Sequence, residues 1–189
     1  MANYGCSVVL CTATQPAFNG MLGRKGFAVR EIAPAPSELF KKLKRVSYRF
    51  DGVLGDDDLA ARLADRDQSL CIVNSRKQAR RLHELLDGED SYHLTTLMHP
   101  VHRERVLNEI RQRLREGRTC RVVATSLIEA GVDVDFPVVY RALAGVDSMV
   151  QAAGRCNREG RSQPRKASCT CSSPPTTTLC LPMSRRKWR

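Results

Sequence analysis

The chain has 189 residues, 42% of them apolar and only 5% aromatic, with a formal net charge of +11. That length suffices for one domain with a buried core. No apolar run approaches the roughly 18 residues of a membrane span, and no charged leader precedes one, so the reading is a cytoplasmic protein with reduced thiols and no membrane partner. The charge is uneven. Residues 162–189 hold six of the 31 basic residues and no acid, leaving the other 161 residues at +5. A basic balance of this kind favours polyanionic partners, though only weakly in the body of the chain.

In chain order, "CSVVLCTATQP" (6–16) is an apolar, β-branched run ending at Thr-Ala-Thr and Pro. It reads as a buried parallel strand with a loop at its carboxyl end. "FAVREIA" is compatible with a short strand. "SELFKKLKRV" carries apolar residues at helical spacing with Ser37 as N-cap. "DDDLAARLA" places its acids at a helix's positive end. "SLCIVNS" is a buried strand. "RKQARRLHELLDG" is a helix with Ala79, Leu82, Leu85 and Leu86 as its apolar face and Gly88 as its stop. "SYHLTTLM" reads as a strand and "HRERVLNEIRQRLREG" as a long amphipathic helix ending at Gly117. "CRVVATS" and "FPVVYRA" are further strands, and residues 147–157 form the last helix. Continuously apolar strands alternating with helices imply an α/β fold with a parallel sheet covered on both faces. Residues 162–189 are rich in Ser, Thr, Pro, Cys and Arg without periodicity, which reads as a disordered tail.

Of the eight cysteines, Cys6, Cys11, Cys71 and Cys120 sit in apolar runs and read as small core residues. Cys169 and Cys171 form C-x-C with no His partner, so no metal site is assigned.

Ligands of a parallel sheet bind at the carboxyl ends of its strands. Four stretches lie there: Thr12-Ala13-Thr14, Asn74-Ser75-Arg76, Thr125 to Asp133, and the helix carrying Arg155. In "VVATSLIEAGVDVDF", Ser126 and Glu129 have capping-box spacing and Gly131 closes a single turn. Asp133 and Asp135 follow on a loop. In "QAAGRCNREGR", Gln151, Arg155 and Arg158 fall at i, i+4 and i+7, one face of a helix, beside the small Ala152, Ala153 and Gly154. Two guanidiniums on one face make a fork for phosphate oxygens.

As a set, these stretches resemble helicase motifs. "QAAGRCNREG" resembles motif VI, "ATSLIEAGVDVDF" motif V, and "VVLCTATQP" motif III, while "CIVNSRKQARRL" resembles the start of a second RecA-like domain. Together, over residues 6–161, they are most similar to the helicase portion of the CRISPR-associated helicase–nucleases of type I interference systems. The resemblance implies two RecA-like, P-loop-NTPase-like motor domains with ATP and Mg²⁺ between them. It implies single-stranded DNA and a guide-RNA effector complex as partners. Carried over by motif, Arg155 and Arg158 would be arginine fingers, with Gln151 positioning water or phosphate. Gly131, Asp133 and Gly154 would face nucleotide. Asn74, Arg76, Thr125 and Ser126 would touch DNA, and Thr12 and Thr14 would couple hydrolysis to movement.

The sequence contains no G-x-x-x-x-G-K-[ST] phosphate loop, no Asp-Glu block for Mg²⁺ and no His-Asp nuclease cluster. The expected organisation is therefore a fragment. Residues 1–20 end a truncated first motor domain, 21–67 connect, 68–161 form the second motor domain, and 162–189 are an aberrant tail, with a reading-frame shift near residue 161 as one origin. A separate chain supplying the first motor domain is an expected partner. The alternatives are a non-catalytic, basic nucleic-acid-binding module and a non-functional truncated product.

Overall fold

A computed structural model of the chain describes residues 5, 6, 8, 9, 30, 32–129, 131–160 and 167–173. The expected strand at 6–16, with Thr12 and Thr14, and most of "FAVREIA" lie outside the described residues, as does Cys11. The chain divides into two compact units, 1–44 and 45–189. In the first, helix α1 (Pro36–Lys42) has Glu38 in its first turn and Lys41 and Lys42 in its last, matching the helix dipole. It starts at Pro36 rather than after Ser37, because Pro is pre-set for a first turn.

The second unit carries β1 (Ser47–Val53), α2 (Asp56–Ala64), β2 (Gln68–Ile72), α3 (Arg76–Leu85), β3 (Ser91–Leu94), α4 (Pro100–Arg115), β4 (Cys120–Ala124), a 3₁₀ turn (Ser126–Ile128), β5 (Val138–Ala142), α5 (Val146–Ala153) and β6 (Ser168–Ser173). The strands form one sheet in the order β1-β6-β5-β2-β4-β3, and every pairing is parallel. The α/β architecture expected from the alternating apolar runs is thus present.

Side-chain alternation sorts each strand onto two faces. Leu70 and Ile72 of β2 join Val122, Leu107, Ile110 and Phe136 on one face. Cys71 and Val73 join Leu59, Leu63, Ala79 and Leu82 on the other. Both faces being covered explains why β2 and β4 read as unbroken apolar runs. Burial pushes the thiols of Cys71, Cys120 and Cys156 up to about 12 and leaves them as inert core residues. Cys6, expected in the core, is exposed. On α3 the inward residues are Ala79 and Leu82, joined by Leu86 at its C-cap, whereas Leu85 is 42% exposed.

Two strands escape a reading of apolar pattern. β1 carries Arg49, Asp51 and Gly52 and lies at the sheet edge, where one neighbour suffices and outward polar residues are tolerated. Together with α2 it belongs to the sheet domain, although it falls within the stretch expected as a connection. β6, "SCTCSS", lies inside the stretch read as disordered. Yet it sits between β1 and β5, with Cys169 level with Tyr48 and Val139. Cys169, Thr170, Cys171 and Ser172 are buried. For Ser168–Ser173 the disordered reading is therefore incorrect. A strand bonded on both sides gains its stability from two ladders, and small residues suit the narrow space there.

Candidate functional site

The register of the sheet brings Ile72 of β2 level with Ala124 of β4, with Arg141 of β5 on the other side of Ile72. The loops that leave β2 and β4 therefore start side by side. After β2, Ser75 caps α3, its hydroxyl accepting from the Gln78 amide at 3.1 Å. After β4, Thr125 is buried, and its hydroxyl oxygen has no hydrogen-bond partner among the described residues. Ser126 is exposed and opens the 3₁₀ turn. A hollow of about 480 Å³ lies between these loops, lined by Asn74, Ser75, Arg76, Lys77, Thr96, Thr125 and Ser126. Its lining has two cations, four hydroxyls, an amide and a helix N-terminus, and no carboxylate. That set is suited to an anion.

The hollow gathers Asn74, Arg76, Thr125 and Ser126, the four residues expected to meet DNA. It adds Ser75, Lys77 and Thr96. Thr96 was hidden because "SYHLTTLM" reads as one strand, whereas β3 stops at Leu94 and releases Thr96 into a turn beside β4.

The second constellation follows Gly131, whose φ of +70° is the left-handed geometry that favours glycine. In "VDVDF", Val132, Val134 and Phe136 are buried, which turns Asp133 and Asp135 outward. Here the helix expected over 147–157 stops early. α5 ends at Ala153 with Gly154 at its C-cap. A Cβ on Gly154 would come within 3.2 Å of the Gln151 carbonyl oxygen. Gln151 lies half-buried on the last turn. Beyond it the backbone is captured by Phe136, whose amide donates to the Arg155 carbonyl at 2.9 Å and whose carbonyl accepts from the Asn157 amide at 3.0 Å. Asn157 takes φ +47° to make the reversal. Arg155 and Arg158 are therefore not on one helix face with Gln151.

The two guanidiniums are nevertheless brought to the same loop, 129–135. Arg155 donates from Nη2 to the Glu129 carbonyl at 2.7 Å, and its buried Nε has no partner among the described residues. Arg158 pairs through Nε with Asp133 at 3.2 Å. Asp135 accepts from the backbone amides of Arg158 at 2.7 Å and Glu159 at 3.2 Å. Arg45 donates to the Arg158 carbonyl. Burial depresses the pKa of the Arg155 guanidinium, the neighbouring Arg158 charge adds to that, and Asp133 opposes it.

Glu129 does not close a capping box. The 3₁₀ turn has no side-chain cap, and the Glu129 carboxylate turns inward to Arg141, 2.9 Å away. Arg141 is the residue that a pattern reading misses. It stands in the apolar run "VVYRA", and a charge buried in a strand requires a partner. Its Nη1 also donates to the Asn74 side-chain oxygen at 2.6 Å. Arg111 of α4 donates to the Asp133 carbonyl at 3.1 Å and ties that loop to the helix layer. A larger hollow of about 560 Å³ flanks Arg111, Arg115, Asp133, Asp135 and Glu159. Its mixed charge gives no preference for either sign of ligand.

A family described as "CRISPR-associated nuclease/helicase Cas3, C-terminal" matches residues 65–161, just over half of the chain. The chain belongs to the Cas3 family. It is 30% identical over 167 residues to the CRISPR-associated nuclease/helicase Cas3 of Methanothermobacter thermautotrophicus, covering 80% of this chain and 20% of that protein. Among solved structures, a CRISPR-associated protein superposes with a TM-score of 0.60 at 25% identity, over 92% of this chain and 21% of the other. T. fusca Cas3 with ADP superposes with a TM-score of 0.59 at 20% identity, over 71% of this chain and 19% of that one. The chain thus spans about a fifth of the length of these three relatives, and what it shares with Cas3 is a C-terminal helicase portion. Among the described residues no helix is long and apolar enough to cross a membrane.

Proposed function

We propose that the chain is the second motor domain of an ATP-dependent DNA helicase of CRISPR interference. The observation that supports this best is the placement of Arg155 and Arg158 on one loop, beside Gly131 and Asp133, in a domain with an anion-suited hollow at its strand ends. Two adjacent guanidiniums stabilise charge that develops on the oxygens of a transferring phosphoryl group. Arg155 is held by a backbone carbonyl and keeps a bare Nε. Arg158 has an exposed partner that a phosphate could replace. Gly131, with nothing within 4 Å of where a Cβ would stand, leaves room for close approach, and Gln151 stands one turn before the fingers to orient water or phosphate. In the hollow, the Thr125 and Ser126 hydroxyls, Asn74 and Arg76 would hold the backbone of single-stranded DNA. Thr12 and Thr14 would couple the two events.

The described residues fit the phosphate end of a nucleotide only. Among them no group of three or more His, Cys, Asp or Glu is placed to hold a metal ion. ATP supplies the phosphoryl group, and the cradle for its remaining phosphates and for Mg²⁺ would come from a first motor domain. Positioning provides most of the catalysis of phosphoryl transfer, so fingers without that cradle are inactive.

The test is ATP turnover. The chain alone, with Mg²⁺ and single-stranded DNA, should show none above background. Joined to the first motor domain of a Cas3 relative, it should show DNA-stimulated turnover that Arg155→Ala or Arg158→Ala lowers by about 10³-fold. Unchanged turnover in both variants would refute the finger assignment. A binding-only role is the second reading, favoured by the hollow itself, whose residues need no nucleotide. It predicts salt-sensitive DNA binding by the chain alone and no turnover in the joined protein.

A further inference from the structure

Arg141 is the centre of a chain of contacts, buried at Arg141 and Glu129 and open at its ends, that joins the two constellations. Its side chain is 3% exposed and that of Glu129 is 7% exposed. On one side its Nη1 donates to Asn74, which lines the anion hollow and whose Nδ2 donates to the Leu143 carbonyl at 2.8 Å. On the other side its Nη2 faces the Glu129 carboxylate at 2.9 Å, and the carbonyl of that same residue receives Arg155. The path is thus Asn74, Arg141, Glu129, Arg155, with each neighbouring pair within 2.9 Å.

A buried ion pair is a costly way to hold a fold together, since an apolar pair of similar volume is often as stable. What it does provide is a charge contact that joins two loops. Arg141 hydrogen-bonds Asn74 through Nη1 and lies against the Glu129 carboxylate through Nη2 as an ion pair without hydrogen-bond alignment, Glu129 Oε1 and Arg141 Nε keeping no hydrogen-bond partner among the described residues, so both contacts are held only while the β2–α3 loop and the 129–135 loop keep their relative placement. A displacement of Asn74 by a ligand in the hollow therefore changes what Arg141 offers Glu129, and with it the carbonyl that fixes Arg155.

We propose that Arg141 is a positioning residue that couples occupancy of the anion hollow by single-stranded DNA to the placement of Arg155, through its shared contacts with Asn74 and Glu129. It touches neither ligand. This rests on the nucleic-acid reading of the hollow given above. Coupling of this kind is reciprocal, so whatever DNA does to Arg155 a ligand on Arg155 does to DNA affinity.

The experiment uses the full chain labelled with ¹⁵N-arginine and a fluorescein-labelled oligothymidylate at low salt. The Arg155 Nε–Hε resonance is identified by its loss in Arg155→Lys. Two variants break the path without leaving a lone buried charge. In Arg141→Lys the ammonium still reaches Glu129 but cannot fork to Asn74. In the double variant Glu129→Gln with Arg141→Met no charge remains. Thermal melts establish that each is folded. Saturating oligonucleotide should move the Arg155 resonance in the wild type and leave it in place in both variants, which still bind the probe. A resonance that moves as far in both variants, or that stays still in the wild type while the probe binds, overturns the coupling and leaves the DNA site intact. A wild-type chain that binds no probe at low salt overturns the nucleic-acid reading, and the coupling with it.

Discussion

The anion hollow and the arginine loop lie in one domain but are made in different ways. The hollow is made by sheet register. Parallel pairing sets the ends of β2, β3 and β4 side by side, so Asn74, Thr96 and Thr125 are placed by backbone hydrogen bonds that run through the core. The arginine loop is made by exchangeable contacts. Asp135 holds two amides, Asp133 holds one guanidinium from a largely exposed position, and a single carbonyl holds the other. A site anchored at strand ends suits a ligand that slides past it. A loop held by replaceable partners suits a charge that must swap a carboxylate for a phosphate.

The largest expected effects sharpen this difference. Arg155→Ala or Arg158→Ala in a joined motor should lower turnover by about 10³-fold, which is about 4 kcal/mol of transition-state stabilisation. Single-stranded DNA affinity in the absence of nucleotide should change far less, because neither residue lines the hollow. Equal losses in both assays would mean the two sites are one.

Next in size is stability. Asp135→Ala removes the acceptor of two charge-assisted backbone hydrogen bonds and should cost about 1.5–3 kcal/mol, read as a lower urea midpoint at constant slope. Asp133→Asn removes a surface pair and should cost no more than about 1 kcal/mol. A reversed order would show that Arg158, not Asp135, fixes the loop.

Within the hollow, Arg76→Ala and Lys77→Ala should each reduce the slope of log K against log salt by about one phosphate contact. Neither should alter the urea midpoint measurably, since both side chains are exposed. An unchanged slope in both variants would remove the phosphate backbone as the ligand.

The smallest effect provides a control away from both sites. His93 of β3 stacks on His83 of α3 with ring centroids 5.5 Å apart. Burial lowers the His93 pKa, the His83 and Arg80 charges lower it further, and Glu84 opposes them. Because the folded pKa lies below the unfolded one, the unfolded chain binds the proton more readily. Stability should therefore be unaffected well above the ordinary His value of about 6.5 and should fall as the pH drops through it. Urea midpoints at neutral and mildly acidic pH should differ, and the difference should shrink in His93→Phe.

Much of the site was legible because its signals are local. Gly131 closing a single turn puts Asp133 and Asp135 on the loop that follows, and the alternation of "VDVDF" between buried and outward residues is what the structure adds. Asn74, Arg76, Thr125 and Ser126 were placed at strand ends by the apolar runs before them. The helical face through Gln151, Arg155 and Arg158 was misread, because Phe136, fifteen residues earlier than Gln151 in the chain, captures the backbone after Gly154. No local pattern announces such a bridge.

What the sequence determined by itself was therefore the class of fold, the strands β2, β4 and β5, the helices α2, α3 and α4, and the position of Asn74, Arg76, Thr125 and Ser126 at strand ends. These follow from apolar periodicity and from residue types suited to phosphate. Tertiary structure alone decided three things. It made a central strand of "SCTCSS", since a ladder on each side can order small polar residues that carry no apolar signal. It paired Glu129 with Arg141 rather than with the cap of its own turn, since a buried guanidinium recruits the nearest carboxylate. And it turned the end expected for the last helix, beyond Ala153, into a loop that still delivers both arginines to 129–135. Each of these depends on partners distant in sequence, and pairings between distant residues leave no trace in a local pattern.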